Sequence, residues 1–111
     1  MNNNELDVYR YRLDFAKVEN YIDIHKIIMR DLDFPDYYGG TMGALWDCLT
    51  DMLCDISYIE IYNIENIKKF KNYDEQLLKI LTECKHAFDN KFSDRFFVTI
   101  YYKDGTKKKI E

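Results

Sequence analysis

Asp47 and Asp51 lie four residues apart, with Gly43 four residues before Asp47, so on a helix the three share one face and Thr50 lies beside it. Two carboxylates at that spacing can divide acid and base work, or they can offer a surface to a cation. Acid–base catalysis needs a setting that tunes a carboxylate, and a solvent-facing stripe with no evident cleft is a poor one. Cys48 has the same difficulty as a nucleophile. It falls mid-helix beside Leu49, where a cysteine commonly serves as a small buried hydrophobe. His25 and His86 form no HExxH pair, and the spacing of Cys48 to Cys54 fits no common zinc pattern. No GxxxxGK[ST] or GxGxxG run occurs, and Gly39-Gly40 alone is too little for a phosphate cradle. The expectation is a protein that binds and does not catalyse, with no cofactor and no metal.

Charge sharpens that expectation. The net charge of −4 argues against general affinity for nucleic acid. From Asp31 to Glu60 there are seven acids (Asp31, Asp33, Asp36, Asp47, Asp51, Asp55 and Glu60) and no Lys or Arg, while the other 81 residues carry +3. An acidic stretch of this kind is often just a solvated face; read functionally, it attracts a cationic partner.

The elements that must position these residues follow from periodicity. Tyr9, Tyr11, Leu13 and Phe15 alternate with Arg10, Arg12 and Asp14, as in a strand with one more apolar face. Tyr21, Ile24, Ile27, Ile28 and Leu32 recur at helical spacing behind a capping Asn20, and that helix is expected to end near Asp33. Asp36 to Gly40 reads as a loop. A second helix is expected from a Thr41 cap to Leu53, with Met42, Leu45, Leu49, Met52 and Leu53 turned inward. A strand over Tyr58–Tyr62, a short helix over Ile64–Phe70 and a longer helix from Asp74 to about Phe88 come next. In the longer helix Leu77, Leu78, Leu81, Cys84 and Phe88 mark the buried stripe, and Glu75, Lys79, Glu83 and Lys85 are expected to stay wet. The nearly continuous apolar run Phe96–Tyr102 suggests a strand covered on both faces. Asp104-Gly105 signals a hairpin turn, with Lys107–Ile110 returning as a lysine-protected edge strand, although a frayed basic tail is almost as good a reading.

Strands separated by helical crossovers imply an α/β fold with a parallel sheet. With 111 residues and 47% hydrophobic side chains, one domain over 1–111 is expected. No apolar run of about 18 residues occurs, and Met1-Asn2-Asn3-Asn4-Glu5 lacks the basic and apolar regions of a secretory signal. Three cysteines, an odd number, do not read as a disulfide framework. These features predict a cytoplasmic protein with no membrane partner.

The segment Leu32 to Thr50 carries a resemblance. It is similar to the signature of the barstar family, which runs Leu-Pro-acid-Tyr-Tyr-Gly, four variable residues, then Ala-Leu-Trp-Asp-Cys-Leu-Thr. Pro35, Tyr37, Tyr38, Gly39, Ala44, Leu45, Trp46, Asp47, Cys48, Leu49 and Thr50 match in register. The likeness continues upstream through Asp23, His25 and Leu32, returns downstream at Glu83 and Lys85, and covers roughly 10–102. The resemblance implies a three-stranded, mainly parallel sheet packed with about four helices, with the C-terminal hairpin strand as a possible addition. It also implies an inhibitor of a small extracellular ribonuclease, made by the producing cell to survive its own toxin and monomeric when free.

Carried over by position, Asp47 matches the main acidic contact, Tyr37 and Trp46 match aromatic contacts, and Thr50 and Glu83 match further contacts. Gly43 stands where typical members place a second acid, and Gly40 and Thr41 replace larger polar residues. Asp36 and Asp51 are expected to restore part of the lost negative field, the alternative being a different cognate toxin. The partner-binding set is therefore Tyr37, Thr41, Gly43, Trp46, Asp47, Thr50, Asp51 and Glu83. A protein-interaction or regulatory domain that does not act on a nuclease is the competing reading.

Overall fold

A computed structural model describes residues 5–111. In chain order the elements are β1 (Val8–Asp14), α1 (Tyr21–Asp31), α2 (Met42–Asp51), β2 (Ile56–Tyr62), α3 (Tyr73–Lys85), β3 (Phe96–Tyr101) and β4 (Lys107–Lys109). Short 3₁₀ turns occupy Met52–Cys54, Ile64–Ile67 and Ser93–Arg95. The sheet order follows the sequence, β1-β2-β3-β4. Tyr11 lies opposite Ile59 and Ile59 opposite Val98 in parallel ladders, and Ile100 lies opposite Lys108 in the antiparallel one.

α1 starts where its residues can close a capping box. The Asn20 side chain accepts from the Asp23 N–H at 3.1 Å, and the Asp23 carboxylate accepts from the Asn20 N–H at 3.3 Å. Its inward stripe of Ile24, Ile27 and Ile28 joins Leu13 and Phe15 of the β1 strand and its exit, Ile59 and Ile61 of β2, and Phe96, Val98 and Ile100 of β3. Leu45 and Leu49 of α2, with Leu77 and Leu81 of α3, close the same cluster. The hairpin is formed. Gly105 sits at φ +91°, a conformation glycine adopts without strain, and the Tyr102 N–H donates to the Thr106 carbonyl at 2.9 Å. Ile110 is buried beyond the exposed lysines of β4.

Four expectations need correction, the last of them in β3. The helix expected over Ile64–Phe70 is a four-residue 3₁₀ turn, so three α-helices are present among the described residues. Ile64 and Ile67, three residues apart, are both buried, which suits a three-residue period. Asn63 ahead of them and Lys71 and Asn72 after them take positive φ, which interrupts helical continuation. α3 begins at Tyr73 and stops at Lys85, short of Phe88, which is left-handed together with Asp89 and Asn90 and is exposed. Lys85, expected in water, is half-buried: its Nζ donates to the Phe96 carbonyl at 2.7 Å and to that of Ser93, and burial lowers its pKa.

β3 is covered on one face. Phe96, Val98 and Ile100 are buried, while Phe97, Thr99 and Tyr101 are half-exposed on the other side. The aromatic side chains there are sheltered by rings of the adjacent strand in place of a helix layer: Phe97 stacks on Tyr58 at 4.8 Å and Tyr101 on Tyr62 at 4.9 Å.

Candidate partner-binding face on α2

α2 is held from below and capped from in front. Leu45 and Leu49 are fully buried, Met42, Trp46, Cys48 and Met52 pack half-buried against the same core, and the helix lies on α3. Thr41 is its N-cap, the side-chain oxygen accepting from the Ala44 N–H at 3.0 Å. Opposite the leucine stripe, Gly43, Asp47 and Asp51 are exposed. Among the described residues the ion pair within 4 Å joins Arg30 to Asp31, so the carboxylates of Asp36, Asp47 and Asp51 meet no cation among those residues. Their field reaches a neighbour. The Cys48 thiol is pushed up by burial first, then by Asp51 and Asp47.

The expected partner-binding residues divide by what the fold already asks of them. Tyr37 is 83% exposed, with its ring free in solvent. Trp46 is half core and half surface. The Thr50 hydroxyl donates back to the Trp46 and Asp47 carbonyls, both at 3.0 Å, which leaves its oxygen as an acceptor. Glu83 is exposed on α3, the helix that packs on α2. Gly43 has helical backbone and space: a Cβ built there meets nothing closer than the Thr41 hydroxyl oxygen at 3.9 Å.

The loop before α2 is braced by a buried polar cluster that the sequence reading did not anticipate. Tyr38 turns inward as Tyr37 turns outward. Its hydroxyl lies 2.6 Å from His25 Nδ1 on α1, and His25 Nε2 meets the Tyr73 hydroxyl of α3. Phe34 packs on the Tyr38 ring at 5.2 Å. Burial lowers the pKa of His25 and raises that of both tyrosines, so a neutral imidazole links the three elements. Gly40, at φ +67°, passes His25 closely, a Cβ there falling 3.6 Å from the His25 Cβ. The available signal was His25's place on α1's inward stripe, one residue after Ile24.

A helix whose carboxylate face is unpaired among the described residues stands behind an aromatic loop on a mostly parallel four-stranded sheet, a small α/β fold with an exposed acidic face. Comparison with known proteins places this fold in a family. A family model described as Barstar (barnase inhibitor) matches residues 8–100. A Bacillus subtilis (strain 168) protein named "Putative ribonuclease inhibitor YrdF" is 32% identical over 81 residues, covering 72% of this chain and 89% of that protein. The chain belongs to the barstar family. No helix among the described residues is long and apolar enough to cross a membrane.

Proposed function

We propose that this protein inhibits a small basic ribonuclease in the cytoplasm of the cell that makes the enzyme, by seating the carboxylate face of α2 in the enzyme's phosphate-binding cleft. The observation that carries the reading is the exposed pair Asp47 and Asp51, four residues apart, unpaired with any cation among the described residues and mounted on a helix whose other side is locked in the core. A ribonuclease cleft is cationic because it must hold phosphate, and fixed carboxylates can occupy it as phosphate substitutes. Family membership and the name of the Bacillus relative support the reading. Tyr37, Trp46, Thr41 and Thr50 would frame the contact, Glu83 would extend it from α3, and the free protein would be a monomer.

Gly43 favours a narrower version. It leaves the first turn of α2 without an acid, so the cognate enzyme presents its cations toward Asp47 and Asp51. A basic partner that is not a nuclease is the second reading favoured by the same gap. The test is inhibition of the cognate enzyme by purified variants. Asp47→Ala should weaken inhibition by about 30-fold or more at unchanged unfolding free energy, because truncation strands the partner's cations, a cost of about 2 kcal/mol or above. Equal inhibition by wild type and Asp47→Ala would refute the central role of Asp47, and no inhibition of basic ribonucleases by the wild type would remove the nuclease reading and leave the other basic partner.

A further inference from the structure

The sheet ends openly on β1. Among the described residues it has β2 on one side and no strand on the other. The ladder bonds fix which backbone groups face outward: the Ile56 N–H donates to the Asp7 carbonyl at 2.9 Å and the Phe15 N–H to the Tyr62 carbonyl at 3.1 Å. With a period of two, odd-numbered residues turn to β2, and Val8, Arg10 and Arg12 turn their N–H and C=O groups to the free edge. At the next even position the Asp14 N–H is taken by the Asp31 carboxylate at 3.0 Å, which closes the upper end. No proline or bulge interrupts the stretch, in register with β2 from Val8 to Asp14. β4, at the other edge, is short and made of three lysines, the usual protection against added strands.

The side chains of Arg10 and Arg12 stand on the helix-free face. Their guanidinium carbons lie 4.5 Å and 4.2 Å from the ring centroids of Tyr58 and Tyr62, and those rings stack in turn on Phe97 and Tyr101. Stacking orients the two guanidiniums while both residues stay exposed. Of the acids on this face, Asp14 is engaged elsewhere, its carboxylate accepting from Asn63 Nδ2 at 2.8 Å and the Ala16 N–H at 2.9 Å, while Glu60 lies opposite Arg12 in register and raises the pKa of the Tyr101 hydroxyl. Among the described residues neither arginine forms an ion pair.

We propose that β1 takes up an extended acidic strand from a partner protein, which adds to the sheet through Val8, Arg10 and Arg12 and sets carboxylates beside the two guanidiniums. Charge complementarity selects this occupant. A second copy of β1 paired antiparallel would bring the Arg10 and Arg12 cations of the two copies together, so the arginines disfavour self-pairing. Single-stranded nucleic acid would need ring faces for its bases, and the faces of Tyr58 and Tyr62 are closed between a guanidinium and a neighbouring ring. An added strand needs only the outward N–H and C=O groups and acids at alternate positions. Its intervening residues would meet Tyr9, 43% exposed and stacked on Tyr11 on the opposite face of β1. The surface is separate from the carboxylate face of α2, and nuclease inhibition neither requires nor excludes it.

The experiment uses the full chain, isotope-labelled, and three probes: an octapeptide of alternating valine and glutamate, its valine–lysine counterpart, and a single-stranded RNA octamer. The glutamate peptide should slow amide exchange at Arg10 and Arg12 and leave Lys108 unaffected. Reversing both charges, Arg10→Glu with Arg12→Glu, should weaken it about tenfold and transfer binding to the lysine peptide. Arg10→Gln with Arg12→Gln serves if that variant does not fold. Arg10→Pro, tolerated where an edge N–H faces solvent, should abolish protection at Arg12 with the fold intact. No amide protection by the glutamate peptide, or equal binding of both peptides, overturns the proposal. Stronger protection by the RNA overturns it in favour of a nucleic-acid surface. Inhibition of the nuclease by the same variants should be unchanged, which separates failure here from failure of the nuclease reading.

Discussion

Acids near the C-terminal end of a helix meet the negative end of its dipole, and α2 has that arrangement: no acid in its first turn, no base in its last, and Asp51 as its final residue. Helix stability alone would favour the reverse order. Asp51→Asn should therefore stabilise the protein by about 0.3–1 kcal/mol in urea unfolding while weakening inhibition. A loss of stability would mean that Asp51 serves the fold. Gly43 gives the complementary case. Its backbone is helical, a side chain there has room, and glycine inside a helix costs about 0.5–1 kcal/mol against alanine. Gly43→Asp should raise the unfolding free energy by about 1 kcal/mol, since an acid in the first turn also favours the dipole. If the variant also tightens inhibition, the enzyme's cleft has a cation unmet by the natural sequence; weaker inhibition would show that the partner approaches the helix closely at Gly43.

Between elements, the His25 cluster joins α1 and α3 to the loop that leads into α2. A neutral imidazole can donate through one nitrogen and accept through the other, which suits two tyrosine hydroxyls; the charged form can only donate. The groups around it are the Tyr38 and Tyr73 hydroxyls and the Tyr21 ring, with Lys26 on the wall of the adjacent 260 Å³ cavity. Burial lowers the folded pKa of His25 below 6.5, so the unfolded chain binds the proton more readily. The stability linked to His25 is fully present above that pH and is lost as pH falls through and below it. Urea midpoints should be level from pH 8 to 7 and then decline toward pH 5.5, above the range where carboxylates titrate. His25→Gln should be less stable at pH 8 and should flatten the decline, with His86→Gln as the control. An unchanged slope in His25→Gln would assign the effect elsewhere. The contrast shows what the sequence could and could not reveal. Alternation in β1, the Asn20 and Thr41 caps and the Asp104-Gly105 turn are local signals, and each is found in place. The cluster is not local: Tyr73 lies 48 residues from His25 in sequence and only packing brings them together. The same holds for Lys85 and for the one-sided sheet, where aromatic runs read as doubly buried because the sheltering rings lie on other strands.

At the scale of the whole molecule, charge is divided by element. Of the acids from Asp31 to Glu60, Asp47 and Asp51 lie on α2 and Asp33 and Asp36 on the loop that leads to it, while Arg10, Arg12 and the lysines of β4 belong to the sheet's edge strands. A chain of net charge −4 so divided behaves toward a basic enzyme as an oriented acid. Exposed charges act over about 10 Å at 0.1 M salt and about 3 Å at 1 M, so the attraction that guides encounter is screened while a desolvated contact is not. Association should thus slow steeply with added salt while dissociation changes little. The two kinds of acid should separate in the same measurement. Asp36 is exposed in the loop ahead of α2, where it adds to the long-range field; Asp36→Asn should reduce the association rate at low salt and lose its effect at high salt. Asp47 lies at the centre of the exposed helix face, where a partner would bury it, so Asp47→Ala should act mainly on dissociation and persist at high salt. Stopped-flow association and surface-based dissociation with the cognate enzyme, each at two salt concentrations, would show the division. If Asp47→Ala lost its effect in high salt as Asp36→Asn does, Asp47 would be a steering charge at the rim, and the centre of the contact would shift toward Tyr37 and Trp46.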